Sequence, residues 1–204
     1  MKSSARIYLL LLIFAVVLSR LLAIHQTDTT SVYTTPLVDD SYYYFALGEH
    51  LAQGIGIKVD RLHVTTGFQP LWGFLLAIPY RIFPNDLTHP ITAIQLLGML
   101  VSVISTILIF TMSSQLISEK VAAVVTGLIM LSPYSISTSV NGMETGLSIM
   151  MTIAVFFCLS QIYQKPQRSS FVLTGLVCGA AFLARVDTAF LTASVLVILL
   201  AGAT

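Results

Sequence analysis

Six stretches of the chain are apolar over lengths that reach or approach the thickness of a bilayer: residues 7–24, 91–112, 121–139, 147–163, 171–184 and 188–203. The fifth is short and can extend to Val186. The first begins like a secretory leader, with Lys2 and Arg6 ahead of an apolar run, but no small-x-small cleavage site follows. The run continues through Leu21, Leu22 and Ala23, which predicts an uncleaved first helix with a snorkelling Arg20. A seventh run, residues 71–83, carries Pro79 and Arg81 and has only 13 residues. That length suits a helix lying at the interface or entering the bilayer part-way.

Between the first and second runs the period changes. Residues 38–54 read as a helix opening at Asp39 or Asp40 and closing with Gly54 in the left-handed conformation. Tyr43, Leu47 and Leu51 recur at fourfold spacing, giving an amphipathic interfacial helix whose tyrosines suit the headgroup level. Ile57 and Val59 alternate like a strand, Asp60-Arg61 and Thr66-Gly67 read as turns, and Pro70 suits the first position of the next helix. Trp72 is placed to anchor that helix at the interface.

Composition agrees with the pattern. Apolar residues make up 56% of the 204, and charged residues only 9%, far below the roughly 25% of soluble domains. With a mean hydropathy of +0.89, this is a polytopic, all-α membrane bundle and not a disordered chain. A net charge of +1 leaves no nucleic-acid footprint. Cys158 and Cys178 sit in apolar runs without metal or disulfide spacing. The last run ends without a polar tail, so residues 1–204 are expected to form one transmembrane module, the N-terminal part of a longer protein.

Charge sets the orientation. Lys2 and Arg6 place the N-terminus in the cytoplasm. If residues 71–83 do not cross, Lys120, Lys165 and Arg168 are also cytoplasmic, and the loop 25–90 is external. Asp28, Asp39, Asp40, Glu49, Asp60, Asp86, Glu144 and Asp187 then share the external side, leaving Glu119 alone inside. An acidic, aromatic outer face on a nearly uncharged body points to binding or chemistry outside the cytoplasm.

Three polar groups on that face have two readings each. Asp39 and Asp40 are a helix cap plus a solvated neighbour, or a carboxylate pair able to take a proton or bind a cation. In Asn141-Gly142-Met143-Glu144-Thr145, Asn141 caps the next helix with Glu144 favouring its dipole, or Glu144 is a second acid that binds metal or orients an acceptor. Arg185 and Asp187 are an interfacial ion pair, or Arg185 faces a phosphate while Asp187 holds it. Gly142 and Gly146, and Gly175 and Gly179, have the spacing of close helix packing. His25, His50, His63 and His89 show no ligand spacing and read as surface or interfacial side chains, and Glu49 is a weak site candidate.

Taken together, Asp39-Asp40-Ser41-Tyr42-Tyr43-Tyr44, Gly54-Ile55-Gly56, residues 65–72, residues 139–145 and Phe182-Leu183-Ala184-Arg185-Val186-Asp187 resemble the N-terminal module of GT-C-type membrane glycosyltransferases. Arabinofuranosyltransferase-like, dolichyl-phosphate-mannose-type and aminoarabinose-type enzymes are among these. The resemblance implies a sugar donor on a polyprenyl phosphate, and a glycan, lipid or protein acceptor. It also implies a catalytic acid in the first external loop, here Asp39 by preference with Asp40 as partner. Tyr43, Gln69 and Trp72, with Glu144, Arg185 and Asp187, become substrate-binding candidates, and Asp40 and Glu144 candidate ligands for Mg or Mn. The setting implied is a bacterial inner (plasma) membrane with the active site outside and the isoprenoid held beside residues 71–83. The chain departs from the family in having about six helices and no C-terminal soluble domain. The alternative is a non-catalytic polytopic protein, a transport or assembly subunit. It is disfavoured because polar residues collect externally, not in broken helices at the midplane.

Overall fold

The computed structural model describes residues 3–26, 37–86 and 88–201; Asp28 lies outside them. The described residues form nine α-helices and no strand: α1 Ser3–His25, α2 Asp39–Ala52, α3 Pro70–Ile82, α4 His89–Leu116, α5 Glu119–Met130, α6 Pro133–Val140, α7 Thr145–Gln164, α8 Arg168–Ala184 and α9 Ala189–Ala201. A short 3-10 turn, Val186–Thr188, separates the last two. The chain is thus an α-helical membrane bundle.

Among the described residues, α1, α4 and α7 are long and apolar enough to cross a bilayer. The expected run 121–139 breaks in two: α5 and α6 meet at a bend of 58°, and together they would make a fourth span. The cause is local. Ser132 accepts the Ser135 amide as an N-cap and Pro133 occupies the first helical position, so a new helix starts mid-run. α8 has 17 residues, the lower limit of a span, and α9 is described over 13, so the six expected runs resolve as three long helices, one broken pair and two shorter apolar helices.

α4 lies at the centre, packed against α1, α3, α5, α6 and α7. Its start is capped by Asp86, whose Oδ1 accepts the Thr88 and His89 amides at 2.8 and 3.0 Å. The largest apolar cluster joins α2, α3, α4 and α7 through Tyr44, Phe45, Leu47, Trp72, Leu76, Ile94 and Leu147. Smaller clusters join α1 to α4 and α5, and α7 to α8 and α9.

The loop 25–90 carries α2 and α3, packed on each other. α2 ends as expected. Gly54 has φ +75°, the Gly54 amide reaches the Leu51 carbonyl, and the Ile55 amide reaches that of His50. In α3, Trp72, Leu76 and Tyr80 form a buried stripe, while Phe74, Ile78 and Ile82 form an exposed apolar stripe two residues on. A helix apolar on both sides suits a position between protein and lipid. The strand-like segment is a single antiparallel bridge, Lys58 with Val64, around the Asp60-Arg61 turn, and no hydrogen-bonded turn forms at Thr66-Gly67.

Several expected interfacial side chains turn inward. Trp72 is 2% exposed and not a belt residue. The Tyr43 hydroxyl bonds Thr65, the Tyr44 hydroxyl accepts the Gln69 amide, and the Tyr42 hydroxyl is buried. His50 is buried too, linking the Lys58 carbonyl to Arg61, and is not a surface group. Arg20 does not snorkel: it is fully buried against α6. Gly175 and Gly179 face open space and mark no close packing.

Gly98 of α4 does mark one. A Cβ there would stand 1.9 Å from the Ser139 carbonyl oxygen. We expect Gly98→Ala to displace α6 at a cost of roughly 1–3 kcal/mol. Gly175→Ala, with nothing within 4 Å, should cost nothing. Thermal unfolding of both variants in detergent checks the contrast.

Candidate active site

α6 ends in a turn that reaches four other helices. Backbone carbonyls at a helix end have no partner within the helix and need one elsewhere. Gln95 of α4 donates to the Val140 carbonyl at 3.0 Å, Ser41 of α2 to that of Asn141, and Trp72 Nε1 of α3 to that of Gly142 at 3.0 Å. Arg20 of α1 donates to the Ser139 and Ser135 hydroxyls at 3.2 and 2.9 Å. Gly142 has φ +84°, and a Cβ there would stand 2.8 Å from the Phe45 ring. Only glycine takes that backbone conformation at that spacing without strain.

The turn delivers Glu144 to α2. Glu144 is the N-cap residue of α7 but caps no amide with its side chain; Asn141 instead accepts the Met143 amide at 3.0 Å. Glu144 is 6% exposed, and its Oε2 is buried without a hydrogen-bond partner among the described residues. An orphaned carboxylate oxygen is costly to bury and points to a group it meets in use.

Opposite stands the start of α2. Its N-cap is Val38, so Asp39 and Asp40 lie in the first turn and neither serves as the cap. Both favour the helix dipole. Their environments differ. Asp40 lines a cavity of about 470 Å³ with Tyr43, Tyr44, Gly67, Gln69, Met143 and Glu144. Asp39 does not line it and accepts the Asp40 amide at 3.0 Å. Helical spacing explains the difference: Asp40 stands four residues before Tyr44, whereas Asp39 aligns with Tyr42 and Tyr43. That spacing is the signal by which Tyr44 was identifiable. The Tyr44 ring is buried, and burial, opposed by the Gln69 amide and reinforced by the Glu144 carboxylate, raises its phenol above the usual value. Tyr44 therefore keeps its proton at neutral pH, shared towards the Glu144 carboxylate and within reach of an oxygen in the cavity.

Gln69 joins the cavity to the next corner. It is the N-cap residue of α3, and its Oε1 accepts the Val186 amide at 3.2 Å. On either side of Val186, Arg185 Nε and Asp187 Oδ2 pair at 3.0 Å, side chains 40% and 77% exposed. The pair stands beside the cavity without lining it, and the Arg185 Nη groups have no partner among the described residues. The cavity thus gathers Asp40, Tyr43, Gln69 and Glu144; Arg185 and Asp187 border it; Trp72 supports it from the core. Glu49 lies at the far end of α2, in a separate cavity with Arg81 and Asp86.

Two carboxylates, one with an orphaned oxygen, are the hard donors that Mg or Mn prefers. No group of three His, Cys, Asp or Glu suited to a metal occurs among the described residues, so an ion here would need substrate oxygens to complete its shell.

The dolichyl-phosphate-mannose-protein mannosyltransferase family matches residues 68–204, about two thirds of the chain. The chain belongs to this family. It is accordingly a GT-C membrane glycosyltransferase and an integral membrane protein. The mannosyltransferase-family match takes in α3 to α9, with Gln69, Trp72, Glu144, Arg185 and Asp187, and starts after the α2 acids. No curated protein and no solved structure matches the chain.

The exposed Arg185–Asp187 pair contributes little to stability, about 0–1 kcal/mol. Asp187→Asn is therefore expected to unfold within a few degrees of the parent in a thermal melt.

Proposed function

We propose that the protein transfers a sugar from a polyprenyl-phosphate donor to an acceptor hydroxyl on the external face of the membrane, with inversion at the anomeric carbon. The observation that carries this reading is the shared cavity of Asp40 and Glu144, from helices about a hundred residues apart in sequence. Asp40 takes the acceptor proton as the hydroxyl oxygen attacks the anomeric carbon. The bond from that carbon to the phosphate oxygen breaks, and the lipid phosphate departs. Arg185, held by Asp187, faces the phosphate; a guanidinium suits its oxygens in bidentate geometry. Tyr44 and Gln69 orient the sugar.

A divalent ion, Mg or Mn, would be held by Asp40 and Glu144 and would supply positive charge to the leaving phosphate. The outward stripe of α3, Phe74, Ile78 and Ile82, offers the isoprenoid an apolar bed next to the cavity. The external location rests on the basic residues: with the N-terminus and Lys165 inside, Asp40 and Glu144 are outside. A bacterial inner membrane is the setting that fits this arrangement.

The test separates the two acids. Asparagine preserves size and removes the base. In proteoliposomes supplied with polyprenyl-phosphate-linked sugars, Asp40→Asn should lower transfer roughly 10²-fold or more. Asp39→Asn, outside the cavity, should stay near the parent rate. Equal rates for Asp40→Asn and the parent would remove Asp40 from the chemistry.

A further inference from the structure

Arg20 of α1 is a fully buried cation with no counter-charge among the described residues. Its donors meet only hydroxyls: Nε to Ser139 at 3.2 Å, Nη1 to Ser19 at 2.9 Å and Nη2 to Ser135 at 2.9 Å. Those bonds use three of the five N–H groups and supply no negative charge. A buried guanidinium without a compensating charge is costly, and within membrane helices such residues mark ligand or ion contacts.

Ser135 and Ser139 also line a slot of about 370 Å³, floored by α4 and walled by α5, α6 and α7. Its rim is apolar and turned outward, with Leu128, Tyr134 and Ile149 exposed. Ser139 donates its proton to the Ile136 carbonyl, but the Ser135 hydroxyl has no described acceptor. Ser135 therefore presents a free O–H to the slot, polarised from behind by the guanidinium. An apolar slot open towards lipid, with a cation-backed donor in its wall, fits a molecule with both an apolar chain and an anionic head.

We propose that this slot binds an anionic glycerophospholipid of the surrounding bilayer, its phosphate on Ser135 in the field of Arg20 and an acyl chain in the slot. The slot is distinct from the cavity proposed for the donor sugar. The slot shares no lining residue with the cavity of Asp40 and Glu144, and Ser135 is six residues, about 9 Å along α6, from Asn141 at the cavity's edge. A lipid here braces α6 against α1 and α7, beneath the turn that carries Glu144.

The experiment is native mass spectrometry of the detergent-solubilised protein, offered phosphatidylglycerol, phosphatidylcholine, undecaprenyl phosphate or inorganic phosphate. The parent should retain phosphatidylglycerol about tenfold over phosphatidylcholine, the scale of one charge-assisted hydrogen bond. Arg20→Gln should abolish that preference. Ile149→Trp fills the slot while leaving every Arg20 bond in place, and it should abolish retention; where Arg20→Gln does not fold, Ile149→Trp decides alone. Retention unchanged in Ile149→Trp would overturn the proposal. So would displacement of phosphatidylglycerol by an equal concentration of undecaprenyl phosphate, or by inorganic phosphate, which needs no slot.

Discussion

The carbonyls at the end of α6 are the constraint on which the outer half of the molecule depends. A helix that stops inside an apolar bundle leaves acceptors that water cannot reach, and each must find a donor. Here the donors come from separate helices: Gln95 from α4, Ser41 from α2 and Trp72 from α3, with Arg20 of α1 holding the serines below. The two loop helices are thereby pinned to the spanning body by hydrogen bonds as well as by apolar packing. Gly98 and Gly142 keep the pinning point narrow, one by admitting the Ser139 carbonyl and the other by its left-handed backbone.

The site follows from that arrangement. Once Ser41 is fixed against Asn141, Asp40 lies one residue earlier and Glu144 three residues later, and a shared cavity results. Gln69 ties in the Arg185 corner through the Val186 amide. Acid, buried carboxylate, phenol and guanidinium thus come from α2, the α6–α7 junction and the end of α8. Most of this framework lies inside the segment that matches the mannosyltransferase family. The matched segment lacks the proposed base, which α2 contributes.

Much of the architecture was legible in the order of apolar runs and in a few local signals. Length and hydropathy marked α1, α4 and α7, and Gly54 marked the end of α2. The break between α5 and α6 had a signal too, Ser132-Pro133, hidden because hydropathy runs through it without interruption. Trp72, the tyrosines and Arg20 were read as interfacial because each has an apolar body and a polar tip, equally suited to a headgroup or to a buried carbonyl or hydroxyl. Which one it meets depends on partners 22 to 119 residues away, and no local pattern encodes that. No local pattern separates Asp39 from Asp40 except the fourfold spacing of Asp40 from Tyr44, which lines the same cavity.

The claim that the α6 turn organises the site is tested most directly by hydrogen exchange in Trp72→Phe, which keeps the ring and removes one donor from the Gly142 carbonyl. Amides of residues 141–147 and of the first turn of α2 should exchange faster than in the parent, while α8 stays unchanged. Exchange at 141–147 indistinguishable from the parent would contradict the account and leave the cavity to apolar packing alone.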